Sequence, residues 1–117
     1  LSSHPHYDFS GLTLMLDNSD INDENLLLSP YRSEITLGSF KKVSRIYGNS
    51  KAHSSCLFIP GLALKLKNLS VPPTPHMVLA IDKPRFSLIS FAMVPHKHVD
   101  YDQIRVKVTD LKKKVSI

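Results

Sequence analysis

Histidine and cysteine are the residues of this chain whose side chains could bind a metal or act in catalysis. Two His-x-His pairs occur, at His4 and His6 and at His96 and His98, and on an extended strand both imidazoles of such a pair project from one face. A structural zinc site usually needs four ligands, however, and the single Cys56 lies in an apolar stretch. We therefore expect these histidines to face solvent, and we predict neither a metal site nor a cofactor.

Nucleophilic catalysis is the second chemistry that the sequence raises. Cys56 is followed by Leu57, Phe58 and Ile59, which predicts a buried, inert thiol rather than an activated thiolate. The chain has only four glycines, and it contains neither a Gly-x-Ser-x-Gly elbow nor a Gly-x-x-x-x-Gly-Lys phosphate loop. We predict that the protein is not an enzyme and has no catalytic residue.

Basic residues are the stronger candidates for a binding site. They lie close to Phe40 and Tyr47 in one segment, and they alternate with apolar residues in two later segments. The predicted basic face consists of Lys41, Lys42, Arg45, Lys65, Lys67, Arg105 and Lys107. On neighbouring strands these side chains would form a positive patch with an aromatic edge, which suits an acidic protein segment or a single-stranded nucleic acid. The alternative is a sheet face whose lysines only contact solvent.

Charge is distributed unevenly along the 117 residues, which carry a net charge of +5. Residues 1–34 contain six acidic residues and one basic residue, a balance of −5, whereas residues 35–117 contain fourteen basic and four acidic residues, a balance of +10. The length predicts a single domain over 1–117, and we expect that domain to be β-rich. We expect the acidic N-terminal segment 1–34 to pack on or flank the basic body 35–117, and it could act as an internal ligand for that body.

The elements that position these residues are predicted to be mostly β-strands. Three segments show the period-two alternation of a half-buried strand, and they are 11–16, 62–67 and 104–108. Three more continuously apolar segments predict central strands covered on both faces, and they are 56–59, 77–81 and 86–94. Residues 35–47 could form one long strand or two.

Helices are predicted to be few, because eight prolines and several turn sequences leave few windows for a helix longer than about ten residues. The best candidate is 19–28, where Ser19 or Asp20 could cap the N-terminus. Residues 110–115 could be a last helical turn or the end of a strand. We predict a mainly β fold: a small antiparallel barrel or sandwich of pleckstrin-homology-like or OB-like architecture, with at most one or two short helices.

Modification and targeting signals are short. Ser29 and Thr74 each precede a proline, as proline-directed kinases require, and a phosphate at Ser29 would add negative charge to the acidic segment. Residues 112–114 are three lysines, a minimal signal for nuclear import. With a single cysteine, this pattern leads us to expect an intracellular, nuclear protein. No apolar run reaches the roughly 18 residues of a transmembrane segment.

These observations predict a non-catalytic protein-protein interaction module of a larger protein. It would bind another protein, through an acidic segment of that partner, at an exposed strand edge or at the basic face. Two alternatives stay open: a single-stranded nucleic-acid-binding OB-like domain, and a viral matrix or structural protein that self-assembles as a homo-oligomer.

Overall fold

The computed structural model describes residues 3–18, 25–31, 33–43, 57–64, 71–80 and 87–116. Over these residues the chain forms two antiparallel sheets and one α-helix, α1, which spans Tyr101–Lys114. The prediction of a mainly β fold is therefore confirmed. Within these ranges, the two sheets do not close into a barrel.

Each sheet combines strands from distant parts of the chain. In chain order the strands are β1 Ser3–His6, β2 Leu12–Asn18, β3 Leu26–Leu28, β4 Lys41–Lys42, β5 Leu57–Pro60, β6 His76–Val78 and β7 Ser87–Ala92. The first sheet has the order β1-β6-β3-β4, and the second has the order β5-β2-β7. Residues 1–34 thus supply β1, β2 and β3 to the two sheets. Asp20, Asp23 and Glu24 of this acidic segment lie outside the described ranges, so its role as an internal ligand stays a prediction.

Four of the predicted strands are confirmed within the described residues. β2, β5, β6 and β7 overlap the segments 11–16, 56–59, 77–81 and 86–94. The expectation that 56–59 and 86–94 are covered on both faces is wrong, because β5 and β7 lie on either side of β2 and expose large side chains. Phe58 is 55% exposed, and Phe91 is 54% exposed. Of the three predicted central strands, only β6 lies between two other strands within the described residues.

The strand predicted at 104–108 is wrong, because these residues lie inside α1. The carboxylate of Asp100 caps the helix by accepting a hydrogen bond from the Gln103 amide at 3.1 Å. Buried Leu111 and Val115 continue a stripe at helical spacing that begins with the half-buried Ile104 and Val108. Among the described residues, no helix is long and apolar enough to cross a membrane.

Three other predicted elements differ from the structure. The helix predicted at 19–28 is wrong over Leu26–Leu28, which form β3, and residues 19–24 lie outside the described ranges. The strand predicted at 62–67 begins instead with a turn at Leu62 and Ala63. Region 35–47 contains a 3-10 turn, Leu37–Ser39, followed by the two-residue β4.

The first sheet is the middle of three layers. Met15 and Ile59 of the second sheet pack with Leu26 and Leu28 on one side of β3. On its other side, Leu27 packs against a cluster of Phe40, Met77, Leu111 and Val115, which joins the first sheet to α1. Three consecutive leucines are therefore covered on both faces, which explains why β3 has no polar residue.

A close main-chain contact joins residues 61–63 to residues 8–11. Three amides donate hydrogen bonds there: Gly61 to the Gly11 carbonyl at 3.0 Å, Leu62 to Asp8 at 2.8 Å and Ala63 to Ser10 at 3.2 Å. A Cβ atom on Gly61 would lie 2.0 Å from the Ser10 carbonyl oxygen. Position 61 therefore requires glycine, because the backbone of Ser10 occupies the space of a side chain.

Gly61→Ala is expected to lower the free energy of unfolding by about 2 kcal/mol or more, because the two main-chain segments must separate. Gly38→Ala is the matched control, since its Cβ would meet no atom closer than 3.9 Å. The control is expected to change stability by less than about 0.5 kcal/mol. Urea denaturation of the two variants measures both values, and equal stabilities would contradict the close contact at Gly61.

Candidate functional site

The predicted basic face is not assembled as the sequence suggested. Lys41 and Lys42 lie on β4, whereas Arg105 and Lys107 lie on α1 rather than on a strand. Residues two apart on a helix point about 200° apart around its axis, so Arg105 and Lys107 do not share a face. The other three members of the predicted face, Arg45, Lys65 and Lys67, lie outside the described residues.

The two predicted phosphorylation sites differ in accessibility. Ser29 is fully buried, its hydroxyl lies 2.9 Å from the Ser39 hydroxyl, and its amide donates to the Pro75 carbonyl at 3.1 Å. A kinase cannot reach Ser29 in the folded domain. Thr74 is partly exposed, and its amide donates to the Pro60 carbonyl at 3.1 Å.

Neither His-x-His pair acts as a pair in the structure. His4 is exposed, while His6 faces the nearby Asp8 and, from a distant part of the chain, His76. His96 and His98 lie in a 3-10 turn, where Nδ1 of His96 is hydrogen-bonded to the Tyr101 hydroxyl at the start of α1. His6 is therefore the candidate for metal binding or catalysis, and its partners are Asp8 and His76 rather than His4.

His6, Asp8 and His76 form a compact cluster of titratable side chains. Nε2 of His6 lies 3.5 Å from Oδ1 of Asp8, and Nε2 of His76 lies 3.3 Å from the same oxygen. The two imidazole rings are 4.4 Å apart, measured between their centroids. One ligand atom from each residue lies within 4.8 Å of the other two, so the three could hold a metal ion.

Strand pairing and the contact at Gly61 bring these three residues together. β1 and β6 are antiparallel neighbours, and His6 lies opposite His76 in their register. Asp8 follows β1, and the Leu62 amide holds its carbonyl oxygen at 2.8 Å. The carboxylate thus lies where the chain leaves the first sheet, beside both imidazoles.

Hydrogen bonds fix the orientation of each side chain in the cluster. Nδ1 of His6 donates to the His4 carbonyl at 2.7 Å, and Nδ1 of His76 donates to the Thr74 carbonyl at 3.1 Å. A carbonyl oxygen can only accept, so in each ring Nδ1 carries a proton and Nε2 faces Asp8. The second carboxylate oxygen, Oδ2, accepts from the buried hydroxyl of Thr13 at 2.6 Å.

The cluster shifts the pKa values of two of its members. Burial acts to raise the pKa of the Asp8 carboxyl, but the combined hydrogen bonds from His6, His76 and Thr13 hold it well below its usual range. The hydrogen bond to Asp8 raises the pKa of His6, against the opposing effect of burial. Asp8 and the protonated form of His6 therefore stabilise each other.

Sequence reasoning identified His6 but not its two partners. Asp8 stands two residues after His6, a His-x-Asp spacing that puts both side chains on one face of an extended segment. That spacing is the local signal that could have found the carboxylate. His76 gives no local signal, because only the pairing of β1 with β6 brings it near.

A second feature is an exposed, uncharged strand. β7 has the sequence SLISFA, and among the described residues it pairs only with β2. Leu88, Ile89, Phe91 and the following Met93 are all exposed. Edge strands of soluble domains usually carry charges, prolines or bulges that prevent further pairing, and β7 itself has neither a charge nor a proline.

Comparisons with models of known protein families, with curated proteins and with solved structures find no match. The function of the protein is therefore inferred from the geometry of its described residues.

The pKa shifts predict a pH-dependent effect of Asp8→Asn. Asp8, whose pKa is lowered, contributes stability above the unfolded carboxyl pKa near 3.8. His6, whose pKa is raised, contributes stability below the unfolded imidazole pKa of 6.5 and loses it as the pH rises through the folded value. The variant is therefore expected to lose more stability at about pH 5.5 than at about pH 8.5.

Urea denaturation in the presence of a chelator tests this expectation without a contribution from metal. Asp102→Asn is the matched control, because the Asp102 side chain is 95% exposed. Its effect is expected to be small at both pH values. An Asp8→Asn penalty that is equal at the two pH values would show that Asp8 does not interact with a protonated histidine.

Proposed function

We propose that this protein is a non-catalytic interaction module that binds an extended apolar segment of another protein along the edge of β7 that has no partner strand among the described residues. The observation that carries the proposal is that β7 is exposed, uncharged and paired on one side within the described part of the chain. A partner strand added there would extend the second sheet, and its flanking residues would be acidic.

The main-chain groups of β7 support strand addition. The Gly11 amide donates to the Ala92 carbonyl at 2.8 Å, so the polar groups of Ala92 point toward β2. Main-chain groups of successive residues in a strand point to opposite edges, so those of Phe91 and Ile89 point away from β2. These two residues offer amides and carbonyls that an added strand can use.

The side chains of the same sheet supply apolar contact area. Leu88 is 58% exposed and Met93 is 62% exposed, in addition to Phe58 and Phe91. Phe58 shares one face of the sheet with Leu88 and Ser90, whereas Ile89, Phe91 and Met93 lie on the other face, so β7 exposes apolar side chains on both faces. Exposed apolar side chains grouped along one strand are typical of a binding surface.

Charge in the sequence around β7 favours an acidic partner. Between Asp82 and Asp100 the chain contains Lys83, Arg85 and Lys97 and no carboxylate. A partner strand with acidic residues at its ends would therefore be attracted to both flanks of β7 and oriented along it. This is the acidic partner that the net charge of +5 also favours.

The proposal is tested with a display library of random peptides about ten residues long, the length of one strand with its flanks. We expect selection for alternating apolar residues with Asp or Glu at the ends. Binding to Phe91→Glu is expected to weaken at least about tenfold. On binding, the amides of Ile89 and Phe91 should gain protection from hydrogen exchange, because they point to the added strand.

Val106→Glu is the matched control, since it also places a carboxylate on an exposed apolar position, on α1. It is expected to leave peptide affinity unchanged within about twofold. Circular dichroism establishes that both variants are folded. Equal binding by Phe91→Glu and wild type would overturn the proposal. So would binding of a labelled single-stranded oligonucleotide that Phe91→Glu abolishes, or a wild-type dimer that Phe91→Glu dissociates, since the edge would then have a different occupant.

A further inference from the structure

The cluster of His6, Asp8 and His76 has a chemical property that protein binding at β7 does not use. With Nδ1 of each ring donating to a carbonyl, the neutral imidazoles point two Nε2 lone pairs at a carboxylate oxygen. Three acceptors that converge in this way repel one another unless a proton or a metal ion lies among them. We propose that these three residues bind a zinc ion.

The spacing of the three ligand atoms fits zinc. Zinc binds histidine nitrogen and carboxylate oxygen at about 2.0–2.2 Å, so two ligands at the tetrahedral angle are about 3.3–3.5 Å apart. The separations from Oδ1 of Asp8 are 3.3 Å to His76 and 3.5 Å to His6. Both separations from the carboxylate thus match tetrahedral zinc, and the ligand atoms of the two histidines lie within 4.8 Å of each other.

The surrounding hydrogen bonds resemble those that support zinc ligands in general. Metal-binding histidines usually donate their second ring N–H to a carbonyl or carboxylate, and metal-binding carboxylates are usually hydrogen-bonded in turn. Both histidines of the cluster donate to main-chain carbonyls, and Oδ2 of Asp8 accepts from Thr13. The Ser10 hydroxyl lies 2.9 Å from that of Thr13 and extends this support into the core. The ligands are thus held in orientation by the fold.

The donor set selects for zinc over the abundant hard cations. Calcium and magnesium prefer oxygen ligands only, whereas two imidazoles and one carboxylate suit zinc and neighbouring transition metals. The His6 side chain is 42% exposed, so an ion can enter from solvent and its fourth position can hold water. Bound zinc would join β1 to β6, because His6 and His76 belong to these two strands.

Calorimetric titration with Zn²⁺ and visible absorption with Co²⁺ test the proposal on the full chain. We expect one ion per chain and a tetrahedral Co²⁺ spectrum. The melting temperature should rise by about 5–10 °C when free Zn²⁺ exceeds the dissociation constant about 100-fold, and a chelator should reverse the shift. His6→Ala is expected to weaken binding by more than about 100-fold, and Thr13→Val by about 10–100-fold.

His4→Ala is the matched control, because it keeps the His4 carbonyl that orients His6 and removes only an exposed imidazole. It should bind zinc like the wild type. Since His6 is partly exposed, His6→Ala is expected to fold, and circular dichroism checks this. Zinc affinity unchanged in His6→Ala, or reduced equally in His4→Ala, would overturn the proposal. Loss of binding in a His96→Ala/His98→Ala variant would assign the ion to that surface turn instead and would also overturn it.

Discussion

The contact between main-chain segments 61–63 and 8–11 is the constraint on which the rest of the described structure depends. Residues 8–11 are the passage from β1 in the first sheet to β2 in the second, so the contact fixes how the two sheets meet. The same contact holds the main chain of Asp8 and therefore places its carboxylate between His6 and His76. The contact requires glycine at position 61, because the main chain of Ser10 leaves no space there for a side chain. The meeting of the two sheets and the geometry of the cluster therefore depend on the same contact.

The position of Asp8 explains why polar side chains are buried beside it. Ser10, Thr13 and His76 are buried near Asp8, although burying such groups costs free energy unless each finds a partner. Here the hydroxyl of Ser10 contacts Thr13, Thr13 donates to Asp8, and Asp8 faces both imidazoles. A connected set of buried polar groups specifies one arrangement of the chain, because any other leaves several of its members without hydrogen bonds. An apolar interior at this point would have been simpler to pack, which supports a chemical role for the cluster.

Local patterns in the sequence predict most of the strands but not which of their residues are buried. Alternation over 11–16 locates β2, yet the buried residues are Thr13 and Met15, whereas Leu12 and Leu14 are only partly buried. The five-residue alternation at 104–108 spans less than two helical turns and is ambiguous, while the longer stripe from Ile104 to Val115 has helical spacing. The exposure of β7 could not be predicted, since its composition is that of a core strand. His6 could be singled out as a residue type, but its pairing with His76 depends on contacts between distant parts of the chain.

The order of strands in the two sheets also determines when the chain can fold. Ser3 lies opposite Val78, and Leu12 lies opposite Ala92, so β1 and β2 meet partners that are synthesised much later. Contacts between such distant residues require closure of large loops and slow the search for the native state. On the ribosome, β1 and β2 emerge before β6 and β7 exist, and during that interval β2 lacks its β7 partner. Assembly of both sheets thus waits for β6 and β7, and this domain is most prone to aggregation before β7 has left the exit tunnel.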